Sequence, residues 1–180
     1  GCFDCNPTET GTLGALTFTY DTDDHLVTPN FKKSPLAVGL SADVWVRDAD
    51  DGSDVDLEFV VSENDNALEI TDTGEGTSRF VMSGLAQGVA TLAVQAAGSP
   101  KLSDNILVEV RDIDAIEVGG PLPWWIVPAA GDPEAVTVEA GVAIFPRVLR
   151  DVDGVALFGY GDVPVTATGG TIQATLSTRF

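Results

Sequence analysis

The side chains best equipped for chemistry stand in one acidic run. Asp48, Asp50, Asp51, Asp54 and Asp56 crowd a stretch that also holds Gly52 and Ser53. Between Asp43 and Glu75 there are 12 acids and a single Arg. Hard carboxylate oxygens on a tight turn are what calcium takes, about six to eight at a time. The spacing departs from an EF-hand loop, because Gly52 comes one residue early. Two readings stand: a calcium loop on those five aspartates, and a solvated acidic hairpin. Asp112 and Asp114 form a smaller pair that could hold a cation between two domains.

Other chemistry is sparse. Trp124 and Trp125 are adjacent, so in a strand they face opposite ways. One can be core or junction while the other offers a face on which a sugar stacks. His25 is the sole imidazole and lies in a turn-like Asp23-Asp24-His25 segment, which reads as an exposed loop. No nucleophile elbow, phosphate loop or metalloprotease helix is present, so catalysis is not expected. The two cysteines, Cys2 and Cys5, are both at the N-terminus. They cannot staple two sheets, and a zinc site would need two further ligands. Gly1-Cys2 resembles the end of a bacterial lipobox, which implies that Cys2 carries a lipid. A local Cys2–Cys5 disulfide or free thiols is the other reading.

Charge excludes one class of partner. The formal net charge is −19. Residues 1–118 hold 22 acids against 6 Lys and Arg, whereas residues 119–180 hold 6 against 3. Such a front half repels phosphate backbones and anionic lipid, so nucleic acid is not a partner. It also keeps a secreted protein soluble. No stretch reaches the ~18 apolar residues of a membrane span. With no signal segment and no initiating Met, the chain reads as starting after a processing or cloning step.

The elements that must position these residues are strands. Leu16, Phe18 and Tyr20 share a face, as do Leu40, Ala42, Val44 and Val46, with Trp45 opposite. Val55, Leu57, Phe59 and Val61 alternate with Asp56, Glu58 and Val60. Phe80 and Met82 mark a further strand, as do Ala90, Leu92, Val94 and Ala96, and then Ile106, Val108 and Val110. Turn clusters such as Asp50-Asp51-Gly52-Ser53 and Asp72-Thr73-Gly74-Glu75-Gly76 separate them. The pattern predicts one antiparallel sandwich over residues 13–112. Val44, Val46, Leu57, Phe59, Leu92, Val94, Ile106 and Val108 are expected to point inward. A faint repeat extends the pattern: Arg47-Asp48-Ala49-Asp50 recurs 103 residues later as Arg150-Asp151-Val152-Asp153. A period near 100 residues suits a small β-sandwich.

Residues 84–96, followed by Ser103 to Val110, resemble the closing strands of bacterial immunoglobulin-like domains, and the resemblance covers roughly residues 13–112. It implies extracellular spacer or adhesive modules without catalytic residues. The expected fold is therefore all-β, with tandem immunoglobulin-like antiparallel sandwiches. A leader spans 1–12, one domain spans 13–114, and a second, short or incomplete domain spans 115–180. The expected function is a non-catalytic cell-envelope or extracellular protein, structural, adhesive or protein-binding. A carbohydrate-binding module, or an accessory domain of a secreted enzyme complex, is the alternative. Partners would be protein or polysaccharide at a bacterial cell surface, with membrane contact only through a lipid on Cys2, and with no cofactor unless calcium.

Overall fold

Period-2 alternation of apolar and polar residues buries one side of a strand and wets the other, and it shapes most of this chain. In the computed structural model, residues 8–21, 29–98, 101–117, 126–128, 136–138 and 148–161 are described. Every regular element among them is a strand: β1 Glu9–Thr10, β2 Leu16–Tyr20, β3 Leu36–Ala37, β4 Ser41–Asp48, β5 Leu57–Ser62, β6 Leu68–Asp72, β7 Arg79–Gly84, β8 Gly88–Ala96, β9 Leu102–Arg111, β10 Ala115–Glu117, β11 Ile126–Pro128, β12 Val136–Val138, β13 Val148–Arg150 and β14 Ala156–Leu157. No helix among the described residues is long and apolar enough to cross a membrane.

The first nine strands make two sheets. One runs β1-β2-β4-β7-β6 and the other β3-β9-β8-β5. The longest ladder pairs β8 with β9 without interruption from Gly88↔Val110 to Ala96↔Leu102. One pairing departs from the all-antiparallel expectation: β3 runs parallel to β9, Leu36 beside Val110. The chain can do this because a long connection separates β3 from β9, whereas a tight hairpin permits only antiparallel neighbours.

The core lies between the sheets. Leu16, Phe18, Val44, Val46, Phe80 and Met82 from the first sheet meet Leu57, Leu92, Val94, Ile106 and Val108 from the second, none more than 5% exposed. Burying each such side chain contributes roughly 1.5–3 kcal/mol. Seven of the eight residues expected inside are there, but Phe59 is not: it is 40% exposed, while Val60 is 5% exposed. The cause is a β-bulge between Leu57 and Phe59, where the register with β8 shifts. One extra residue in a strand reverses the facing of everything after it. Val61 is accordingly turned out at 50%, and Ser62 turned in at 8%.

Beyond the sandwich, β10, β13 and β14 form a three-stranded sheet, and β11 pairs with β12. The other strands expected between 119 and 180, such as Val142–Phe145 and Thr171–Leu176, lie outside the described residues.

Candidate functional site

The acidic turn after β4 closes on itself. Asp48 Oδ1 accepts the Asp50 N–H at 2.8 Å, and Asp51 Oδ1 accepts the Ser53 N–H at 2.8 Å. The Ser53 hydrogen bonds hold the Asp51 carboxyl below the usual carboxylate range. Gly52 completes the turn at φ 73°, a left-handed value that favours glycine. Asp54 accepts the Trp45 indole N–H at 2.9 Å and faces Arg47 at 3.4 Å. Asp50 and Asp56 point into solvent. Among the described residues no three carboxylate, imidazole or thiol side chains converge closely enough to hold a metal ion.

Trp45 stands outward, as its place in the alternation requires, but its ring is not open. Arg47 lies over it, its guanidinium carbon 3.3 Å from the ring centroid, and Arg79 approaches to 5.0 Å. The guanidiniums occupy the ring by cation–π contact, leaving little aromatic surface for a sugar.

The second Arg-Asp turn has the same local construction. Asp151 Oδ1 accepts the N–H of Asp153 at 3.0 Å and of Val155 at 2.7 Å, and Gly154 closes the turn at φ 77°. Its other oxygen differs from its counterpart in having a distant partner. Asp151 Oδ2 accepts from the Arg111 guanidinium at the end of β9, with the Asp151 side chain only 4% exposed. Burial alone would raise the Asp151 pKa, but the Arg111 hydrogen bond and the Val155 N–H outweigh it and hold the carboxyl below the usual range. Arg111 is pushed upward by its bonds to Asp151 and Glu109.

This ion pair is one side of a built junction. A small apolar cluster of Ala37, Leu40, Leu149 and Leu157, with Ile113 against it, ties the first sandwich to β13 and β14. Leu40, expected to share the sandwich core with Ala42 and Val44, belongs to this second cluster instead. The chain past β14 then adds to the sandwich edge. Phe158 bridges to Leu36 and Tyr160 to Ser41. Backbone bonds Ala37 N–H to Phe158 O at 2.8 Å, and Ser41 N–H to Tyr160 O at 2.9 Å, fix both. The Tyr160 hydroxyl donates to Asp43 at 2.8 Å. Phe158 rests against Tyr20 with ring centroids 4.4 Å apart, and Tyr20 stacks on Phe31 at 4.2 Å on its other side. Burial drives the Tyr20 phenol pKa strongly upward.

A second carboxylate that sequence inspection did not single out is Asp104, 3% exposed. It accepts the N–H groups of Leu13 at 2.7 Å, Ala15 at 2.8 Å, Leu16 at 2.9 Å and Asn105 at 2.8 Å, tying β9 to the turn before β2. Nearby, a cleft of about 320 Å³ is lined by Glu9 to Thr12, Phe31, Lys32, Ile106 and Leu107, and its two charges, Lys32 and Glu9, are paired with each other. Among the described residues no buried side-chain polar atom lacks a partner.

Asp112 and Asp114 are exposed, and what joins the strands there is the Asp114 N–H bonded to Arg150 O at 2.9 Å. Cys2, Cys5, His25, Trp124 and Trp125 lie outside the described residues.

No protein-family model matches this chain, and a search of curated proteins finds no match. Among solved structures, domains 4 and 5 of the S-layer protein SbsC are similar at 18% identity and a TM-score of 0.30, over 51% of this chain and 50% of that one. SbsC domains 5–6 are similar at 17% identity and a TM-score of 0.37, over 92% of this chain and 76% of that one. SbsC domains 1–6 give 15% identity and a TM-score of 0.36, over 85% of this chain but only 17% of theirs. The chain thus spans about half of the first of these and a small part of the last. At these identities and TM-scores the likeness carries no argument about fold or function.

Proposed function

We propose that this chain is a non-catalytic structural and display module of the bacterial cell envelope or extracellular space, in which immunoglobulin-like sandwiches are held in line by a stiff junction. The junction is the observation that carries the reading. The convergent polar groups of the described residues are spent on holding segments together: Asp151 on Arg111 and its own turn, Asp104 on four backbone donors, Asp43 on Tyr160. None is left paired with a nucleophile or poised over a cavity as catalysis would require. The strand partition supports the immunoglobulin-like part. Apart from the two-residue edge strands β1 and β3, the order β2-β4-β7-β6 against β9-β8-β5 is the four-and-three division of a constant-type immunoglobulin sandwich. The acidic front half suits a surface exposed to water and repelled by anionic polymer.

In this reading the module presents its faces to protein or polysaccharide at the cell surface, and Cys2 bears the lipid that tethers it. Mass spectrometry of the chain recovered from envelopes tests the tether: an unmodified Cys2 defeats it. Small-angle scattering tests the stiff junction. The wild-type chain is expected to give one fixed elongation, whereas an Arg111→Ala, Phe158→Ala variant is expected to give a broader distance distribution. Identical curves for the two would defeat the reading.

A further inference from the structure

β3 is the outermost strand of its sheet, and its free side is taken by a segment distant in sequence. An uncovered strand edge recruits another strand. Here the recruit is Phe158-Gly159-Tyr160, which makes four backbone bonds. The Phe158 N–H donates to Pro35 O at 2.8 Å, and the Phe158 carbonyl accepts from the Ala37 N–H at 2.8 Å. The Tyr160 N–H donates to Ser41 O at 2.8 Å, and the Tyr160 carbonyl accepts from the Ser41 N–H at 2.9 Å.

Side chains make this edge selective. The Phe158 ring rests on Tyr20 at 4.4 Å, and the Tyr160 hydroxyl donates to Asp43 at 2.8 Å. Between them the segment crosses Leu40 too closely for any side chain. Gly159 has φ 138°, and a Cβ there would stand 2.6 Å from Leu40 Cβ. A Cβ on Gly161 would meet Leu40 Cδ2 at 3.2 Å. The edge therefore reads an extended aromatic, glycine, tyrosine, glycine sequence. Main-chain bonds supply affinity in such a site, and alternate side chains supply the choice.

The segment belongs to a unit that can be traded. The contacts described for residues 148–161 outside that stretch are with β10 and the first sandwich: the β10–β13 ladder, the Arg111–Asp151 pair, the Leu149 and Leu157 packing, and the bonds above. Residues 118–147 join this unit to β10, a connection long enough to reach another sandwich. The unit carries one Arg against two Asp, in a chain of net charge −19, so little repulsion opposes its approach to a second copy. We propose that the β3 edge is an acceptor for a Phe-Gly-Tyr-Gly strand, and that two copies of this chain exchange that strand, each laying residues 148–161 on the other. Every bond of the single closed chain is then remade in the pair. The exchange rests on the junction reading and goes beyond it. A junction that is stiff within one chain but never traded between two overturns the exchange alone.

Two full-length chains test this, one with Ser41→Cys and the other with Tyr160→Cys, both also carrying Cys2→Ser and Cys5→Ser. The reciprocal bonds between positions 41 and 160 set their Cα atoms about 5.5 Å apart, within the span of a disulfide. The chains are mixed at about 200 µM each in urea just below the unfolding midpoint, returned to buffer and oxidised. A disulfide-linked heterodimer is expected on a non-reducing gel. Val152→Cys in place of Tyr160→Cys, an exposed turn site, is expected to give about tenfold less, and so is Gly159→Ala added to the Tyr160→Cys chain. Should Gly159→Ala fail to melt cooperatively, Phe158→Ala serves in its place. A heterodimer no more abundant than with Val152→Cys overturns the exchange. A yield that ignores the loss of Gly159 or Phe158 overturns the selective edge.

Discussion

A buried carboxylate that accepts from four backbone donors is a demanding arrangement, and Asp104 shows what it requires of its neighbours. Gly11 must be glycine: a Cβ there would stand 2.3 Å from the Asp104 carboxyl carbon. Removing the acceptor leaves several N–H groups buried without a partner, each costing about 1–3 kcal/mol. Asp104→Ala is therefore expected to destabilise by about 3 kcal/mol or more in urea unfolding, and Gly11→Ala by about 2 kcal/mol through crowding. A loss under about 1 kcal/mol for Asp104→Ala would show that water replaces the carboxylate freely. The acidic turn after β4 makes the opposite point. Asp48, Asp51 and Asp54 already accept hydrogen bonds from the turn or from Trp45. Millimolar calcium is accordingly expected to leave the melting temperature where chelator leaves it. A rise that disappears in an Asp50→Asn, Asp54→Asn variant would mean that the turn reorganises around the ion.

At the scale of elements, the bulge in β5 separates what alternation predicts from what the strand does. Phe59→Ser, measured in dilute solution, is expected to cost less than about 1 kcal/mol, whereas Val60→Ser is expected to cost about 2–3 kcal/mol. The reverse order, read from urea midpoints, would restore the simple alternation. The example also shows why the sequence was legible in one respect and silent in another. Strand existence and facing follow from period-2 patterning within each run, so Val44, Leu92 and Val108 were placed correctly from local information. A bulge leaves no comparable mark, because Phe59, Val60 and Val61 are all apolar and fit either phase. The junction was half legible. The repeat of Arg47-Asp48 as Arg150-Asp151 pointed to equivalent turns, and the two are built alike. That Asp151 would meet Arg111, and that Phe158 would meet Tyr20, depends on tertiary contacts that no spacing encodes. Asp104, between Ser103 and Asn105, reads as one more polar strand residue until its donors are seen.

For the molecule as a whole, the junction should respond to acid. The Asp151 carboxyl is held below its ordinary range in the folded chain, so its contribution is fully present above the unfolded pKa near 4. It is lost as pH falls through the lower folded value. Asp151→Asn is thus expected to lower the melting temperature at pH 7, with the gap to wild type narrowing as the pH falls below about 4. A gap that persists unchanged in acid would assign the effect to the hydrogen bonds of the turn and not to the charge. Phe158→Ala, which empties a half-buried aromatic contact, is expected to cost about 2 kcal/mol at either pH.

The stacked rings at that same contact also have an optical consequence. Of the two tyrosines, Tyr20 is 1% exposed and wedged between Phe31 and Phe158, with its phenol pKa driven upward by burial. Burial disfavours ionisation of this phenol in place. In an alkaline ultraviolet titration, Tyr20 should stay dark while the fold holds and turn on only when the wedge opens. The sign is that of a folded pKa raised above the unfolded one: the stabilisation is present below pH ~10 and drains away as pH climbs past it. Tyrosinate absorbance then becomes a clock for the opening of one defined place. After a jump to high pH, its slow phase times the departure of Phe158 from Tyr20, and Phe158→Ala should shorten that delay without altering the final amplitude.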